Sequence, residues 1–269
     1  NTAVGYQALS AQTGTSGTVG NTAVGYQVGL DITTGTQNTL MGYLAGHNFT
    51  VAGHNTALGG EALASEDVGD FTVEIGYRTG YYQNSDSNTE DTGNTLVGTG
   101  AGFYNVTGTN NTLLGRQAGL GVNGQSNSDN VAIGYRALYG VTTGHENTVI
   151  GKEAAYSLTT ADNNIIIGYQ TGYSLTSARY NVLIGDQAGY SLTTSTEGNE
   201  NVMIGNAAGQ YADAATNAAH YNVYVGSAAG RYMDDGDSNV MIGKDAGKGS
   251  GTGNNATQNV IVGYQSGFD

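Results

Sequence analysis

The chain has 269 residues and a formal charge of −14, with eight Lys plus Arg, no cysteine and no proline. That balance disfavours nucleic acid and anionic membranes as partners, and without cysteine there is no disulfide framework and no thiolate metal site. Charged residues are 11% of the chain, so solubility falls to Asn, Thr, Ser, Gln and Tyr, a composition that suits an extracellular protein.

The chain opens on Asn1-Thr2-Ala3-Val4-Gly5-Tyr6-Gln7 and rewrites this phrase along its whole length. Each copy is marked by one glycine, at Gly5, Gly25, Gly42, Gly59, Gly76, Gly98, Gly115, Gly134, Gly151, Gly168, Gly185, Gly205, Gly226, Gly243 and Gly263. Eight of the fourteen intervals are 17 residues and the rest run from 19 to 22, a short fixed period that signals a stacked repeat architecture. One residue before the glycine is always aliphatic or Met, and three before it is always β-branched, from Thr2 and Thr22 to Val240 and Val260. Two such positions separated by one residue share a face of a short strand. Three residues after the glycine comes a small residue in most copies (Ala8, Ala45, Ala118, Ala188, Ser266), fit for a tight inner corner, and a second glycine commonly follows. The prediction is all-β: a parallel β-solenoid (β-roll) of about fifteen turns, one continuous rod over residues 1–269. Helix fails as an alternative, because every repeat carries glycine and no 3.6-residue stripe crosses the corners.

In chain order, the first four repeats (residues 1–71) are joined by Thr/Gly-rich loops. The fifth is irregular: Thr72 stands where fourteen copies have Asn, and Glu74 interrupts an apolar column. From residue 147 to 190 the repeats are tightest, and after Gly205 the loops lengthen and become Ala-rich. The chain starts mid-pattern and stops inside another repeat, so it reads as an excerpt of a longer fibre protein. The Asn column, four before the glycine, predicts either an amide ladder between turns or local turn caps.

The middle of the strand, two before the glycine, is apolar in fourteen of fifteen copies, counting Tyr224. With its neighbours on both sides assigned to the interior, this column is expected to face outward, and an apolar column of that length needs a cover. The expected cover is another copy of the chain around a symmetry axis. Leu40, Leu96, Leu113, Val149, Ile166, Leu183, Met203, Tyr224, Met241 and Ile261 are the predicted subunit interface, and the bulkier members after Thr148 predict altered packing between subunits there.

Signals for chemistry are sparse. His47, His54, His145 and His220 lack metal-ligand spacing, and no nucleophile elbow, phosphate loop or dinucleotide fingerprint occurs; no enzyme and no cofactor are predicted. Asp235-Gly236-Asp237-Ser238-Asn239 has alternate-acid spacing, echoed by Asn84, Asp86 and Asn88, but Val240 and Ala246 stand where an EF-hand loop has its glycine and bidentate Glu, so a solvated turn is favoured over calcium. Tyr6, Tyr26, Tyr43, Tyr77, Tyr135, Tyr169 and Tyr264, each following a glycine, are the candidate glycan contacts. A second aromatic column (Tyr81, Tyr139, Tyr156, Tyr173, Tyr190, with Phe103 and Phe268) is read as packing over the corners. Asn48, Asn105, Asn110 and Asn255 sit in glycosylation sequons.

The repeat Asn-Thr-Ala-Val-Gly-Tyr-Gln-Ala at residues 1–8 resembles short repeats of bacteriophage tail-fibre-like proteins. Val-Ala-Ile-Gly at residues 131–134 is similar to the head repeats of trimeric autotransporter adhesins. The resemblance implies a β-roll wound as a homotrimer on a virion or cell surface. The function expected is a structural shaft of an extracellular attachment fibre, displaying loops or a distal tip to a cell-surface glycan or protein receptor. The alternative is an ice- or glycan-binding repeat surface, with ice disfavoured by the expectation that the Thr column points inward.

Overall fold

A computed structural model describes residues 1–13, 19–85, 91–192, 200–212, 219–233, 236–250 and 257–267. The chain divides into two compact units, Asn1–Asn130 and Val131–Asp269. Both are parallel β-solenoids of three-residue strands, and no helix occurs among the described residues. The first unit stacks β1 (Thr2–Val4), β2 (Thr22–Val24), β3 (Thr39–Met41), β4 (Thr56–Leu58), β5 (Val73–Ile75), β6 (Thr95–Val97) and β7 (Thr112–Leu114) in chain order. The second stacks β8 (Val131–Ile133), β9 (Thr148–Ile150), β10 (Ile165–Ile167), β11 (Val182–Ile184), β12 (Val202–Ile204), β13 (Val223–Val225), β14 (Val240–Ile242) and β15 (Val260–Val262).

Within each unit the register is strict, like on like: Thr39 pairs with Thr56, Leu40 with Ala57 and Met41 with Leu58. The repeating glycine ends each strand in a conformation open only to glycine. Gly151 has φ +138°, and a Cβ placed there would lie 2.2 Å from the carbonyl oxygen of Gly168 in the next turn. Beyond it the chain turns through left-handed residues even where they are not glycine, as at Gln170 (φ 50°) and Ala155 (φ 49°), each a conformation that L-residues adopt at a cost.

The Asn column is a ladder. Asn21 Oδ1 accepts from Asn38 N (2.9 Å) and Asn38 Nδ2 (3.2 Å), and Asn164 Oδ1 accepts from Asn181 N and Nδ2, both at 3.0 Å. In the 17-residue turns the Nδ2 commonly also donates to a carbonyl fourteen residues on, as Asn38 does to Ala52 (2.8 Å) and Asn164 to Ala178 (2.9 Å). The side chains thus satisfy both the strand entry and the preceding loop while being buried, as polar groups in a core must.

The faces of the strand are the reverse of the sequence expectation. Leu40 is buried while Thr39 and Met41 beside it are exposed, and the same middle-in pattern holds from β2 to β14. Of the ten residues expected at a subunit interface, Leu40, Leu96, Leu113, Val149, Ile166, Leu183, Met203, Tyr224 and Met241 are 0% exposed inside the chain's own core, and Ile261 in β15 is partly buried. They are core residues, not interface residues. A three-residue strand puts one side chain on one face and two on the other, and the corners bend toward the face with one. The core is then completed by the small corner residues Ala45, Ala118 and Ala188 and by a column seven after the glycine (Ile32, Phe49, Leu158, Leu175), all fully buried.

Candidate functional site

With the parity settled, the outward face of the strands is the pair of columns one and three before the glycine. In the first unit it alternates Thr with aliphatic residues or Met, except in β5, and Val4, Met41, Ile75 and Leu114 are 58, 51, 39 and 46% exposed. In the second unit all eight strands present β-branched residues at both positions, all Val or Ile except Thr148. Turns stacked at about 4.8 Å make this an apolar strip roughly 34 Å long, in which Ile165, Ile242, Val260 and Val262 are exposed and the other residues half-buried. No amide or carboxylate interrupts it, and a strip of that kind is unusual on a free surface.

The tyrosines that follow the glycines fall into two settings. Tyr6, Tyr26 and Tyr43 form a stacked ladder, with ring centroids 5.2 and 5.5 Å apart. Both faces of Tyr26 are therefore covered. Tyr77 lies beside Arg78 (5.1 Å), Tyr135 beside Arg136 (5.1 Å), Tyr169 beneath Lys152 (5.3 Å) and Tyr264 beneath Lys244 (5.7 Å). All of the seven but Tyr135 are exposed, Tyr6 at 62% and Tyr264 at 66% among them. What they offer to solvent is chiefly ring edges and hydroxyls, since stacking and cations occupy ring faces that a sugar would need.

The second aromatic column is more regular. Tyr139, Tyr156, Tyr173 and Tyr190 stack at 4.8, 5.0 and 5.2 Å with interplanar angles of 2, 4 and 10°. Burial, then the adjacent phenols of Tyr156 and Tyr190, raise the Tyr173 phenol above its ordinary value. Alongside runs a polar ladder in which Gln170 Nε2 donates to Glu153 Oε2 (2.9 Å) and Gln187 Nε2 to Gln170 Oε1 (3.2 Å). In the first unit Tyr81 stacks on Phe103 (5.4 Å) and Tyr82 on Tyr104 (5.5 Å); Phe268 lies outside the described residues.

The remaining candidates resolve individually. Asp235, Asp86 and Asn88 lie outside the described residues. The described part of the acidic loop is engaged internally: the Gly236 carbonyl accepts from Asn222 Nδ2 (2.7 Å), Asp237 Oδ1 accepts from His220 N (2.9 Å), and Asn239 belongs to the amide ladder. Among the described residues no group of three or more His, Asp or Glu is placed to hold a metal. His54 stacks on Phe71 at 4.8 Å and His145 faces Asp162 at 3.4 Å. Of the sequons, Asn48 and Asn110 are exposed, Asn255 lies outside the described residues, and Asn105 is buried with its amide bonded to Gly108 and Asn127.

One cluster escaped the sequence reading. Glu74, the irregular residue of β5, is fully buried and neither carboxylate oxygen has a hydrogen-bond partner. Burial and then the neighbouring Glu66 push its carboxyl well above the usual range, and the nearby Leu63 N–H is already donated to the Thr79 carbonyl (3.0 Å). Glu66, also buried, accepts from the backbone of Asp67 (3.1 Å), Val68 (3.1 Å), Gly69 (2.8 Å) and Ser85 (3.1 Å). The run Glu66-Gln83-Asn105 in the seven-after column, which is apolar in the other copies except for Gln12 and Ser250, was the available signal.

No protein-family model, no curated protein and no solved structure matches this chain.

Proposed function

We propose that the chain is a structural shaft segment of an extracellular attachment fibre, of the bacteriophage tail-fibre or surface-adhesin type, with no catalytic role. Copies of it associate, as a homotrimer, through the outward faces of their strands, and loops or a distal tip are displayed to a host receptor. The observation that carries this reading is the second unit's outward strip, Val or Ile at all but one of sixteen positions, which self-association would remove from water. The interface is thus assigned to the flanking columns, represented by Ile165, Ile184 and Ile242, in place of the strand middles. Absolute mass in solution tests it: about three times 27.5 kDa supports the fibre, whereas a monomer at high protein concentration sinks it.

The first unit favours a second reading. Thr2, Thr22, Thr39, Thr56, Thr95 and Thr112 belong to the outward columns, and Thr2, Thr39, Thr95 and Thr112 are exposed. A flat array of hydroxyls and methyls at the spacing of stacked turns is the surface that adsorption to ice requires, so the objection that threonine points inward is gone. Thermal hysteresis of the monomeric chain, and its loss in Thr39→Lys, would establish that reading; no hysteresis removes it. Glycan contact through Tyr6, Tyr26, Tyr43, Tyr77, Tyr135, Tyr169 and Tyr264 would use hydroxyl edges.

A further inference from the structure

The four-rung stack Tyr139-Tyr156-Tyr173-Tyr190 is an arrangement of phenols that neither the shaft reading nor the core needs. We infer that it is a site of oxidative modification, in which a one-electron oxidant joins tyrosines of adjacent turns by an intrachain Cε–Cε (dityrosine) bond. Such coupling requires no self-association.

The stack is aligned for this coupling. A phenoxyl radical carries spin on its oxygen and on the ortho Cε carbons, in orbitals perpendicular to the ring. In this ladder the rings are parallel within 2–10°, so those orbitals point along the stack at the neighbouring phenol. Centroids 4.8 Å apart at Tyr139–Tyr156 and 5.2 Å at Tyr173–Tyr190 keep a second radical in direct contact with the first. All four rings are partly exposed, within reach of an oxidant acting at the surface. The Tyr6-Tyr26-Tyr43 ladder is looser, with angles of 15 and 17°.

The chemistry balances with an oxidant of the peroxidase-and-peroxide class, which such a surface would meet from outside. Two oxidant equivalents take one electron from each of two neighbouring phenols, and each phenolic proton passes to water. The two radicals pair to form one Cε–Cε bond. The hydrogen on each joined carbon then moves to its oxygen, restoring both phenols. The chain loses two hydrogens per bond, and no group is added.

The test oxidises the dilute full chain with a peroxidase and hydrogen peroxide. The expected product shows dityrosine fluorescence, runs as a single chain on a denaturing gel, has lost two hydrogens per bond, and yields linked peptides joining Tyr139 to Tyr156, Tyr156 to Tyr173 or Tyr173 to Tyr190. The double variant Tyr156→Phe/Tyr173→Phe keeps the ring stack and leaves no adjacent phenol pair in this ladder, so it should lose all three ladder links and their share of the emission with an unchanged circular dichroism spectrum, while the Tyr211–Tyr232 pair, stacked at 5.2 Å and 9°, continues to couple. Should that variant fail to fold, Tyr173→Phe alone must confine the ladder's link to Tyr139–Tyr156. Three outcomes overturn the inference: emission undiminished in the double variant, links mapping to the more exposed Tyr180, Tyr221 or Tyr264 (56, 56 and 66%), or products running only as multimers.

Discussion

Replacing Glu74 by leucine should stabilise the chain, because it removes an ionisable group from a buried apolar column. The column Glu74 occupies is otherwise apolar, with Leu96 in the next turn at the same position and fully buried. The leucine side chain would add apolar burial, about 1.5–3 kcal/mol for a whole side chain, less what the glutamate methylenes already contribute. The substitution would also remove a carboxyl whose oxygens have no partner, a desolvation cost of about 1–3 kcal/mol. The volumes are similar, so a net gain of about 2–4 kcal/mol at neutral pH is expected. The pH dependence has a definite sign. Burial and Glu66 raise the folded carboxyl above its ordinary unfolded value, which is about 4.3, so the folded chain holds the proton where the unfolded chain has lost it. The stability linked to this proton is fully present below the unfolded value and is lost as pH rises through the folded one, at no more than about 1.4 kcal/mol per pH unit. Urea unfolding of wild type, Glu74→Leu and Glu74→Gln, followed by circular dichroism at several pH values from about 4 to about 9, follows that loss as pH rises above the unfolded value. The wild-type minus variant difference isolates Glu74 from the other carboxylates. The advantage of both variants should widen with pH across that window. A Glu74→Leu variant that is less stable than wild type throughout, or a difference flat in pH, would refute the reasoning.

The other perturbations are simpler. Gly151→Ala combines a φ of +138° with a Cβ 2.2 Å from the Gly168 carbonyl oxygen, and should cost about 3 kcal/mol or more, read as a lowered urea midpoint. Asn164→Ala leaves the Asn181 N–H and Nδ2 and the Ala178 carbonyl without the amide that joins them; a loss of about 2–4 kcal/mol is expected, with faster hydrogen exchange at the Asn181 amide as the local readout. Ile184→Asp, on the outward strip, should reduce the solution mass to one chain of 27.5 kDa while changing the stability of that chain by less than about 1 kcal/mol. Persistence of the oligomer would move the interface elsewhere.

Much of this fold is legible in the sequence because its determinants recur at fixed offsets. The β-branched position, the left-handed glycine that closes each strand and the Asn ladder each stand in the same place in nearly every turn. Parity was not legible by the same route. A strand such as Ile165-Ile166-Ile167 is apolar on both faces, so a period of two cannot say which side is the core. Thr-Ala-Val strands mislead further, since their larger side chains point outward and the alanine points in. Glu74 was visible as an irregularity, but its burial followed only from parity, and the tyrosine columns were visible without the stacking that covers their faces.

A signal that does decide parity lies in volumes. The residue four after the glycine is glycine in most copies whose strand middle is large: Leu113 with Gly119, Met203 with Gly209, Tyr224 with Gly230. Where the middle is alanine, leucine takes that place, as in Ala3 with Leu9, Ala57 with Leu63 and Ala132 with Leu138. Ala23 with Gly29 keeps the sum through Val28, which is buried in the same core cluster. The two positions share one space: a Cβ on Gly119 would lie 2.7 Å from Leu113 Cδ1, and one on Gly209 2.4 Å from Met203 Sδ. Trading volume within each turn keeps the core at packing density, and only an inward-facing strand middle explains the trade. The swap can be made by hand. Leu138→Gly should cost about 2–4 kcal/mol for the cavity, partly offset by about 1 kcal/mol because Leu138 is left-handed (φ 55°). Ala132→Leu alone should cost about 1–3 kcal/mol by overpacking. Together they recreate the pairing of Leu113 with Gly119, so the double variant should be more stable than the sum of the singles by about 2 kcal/mol. Additive losses would mean that the two positions do not share the interior, and the volume argument would fall with them.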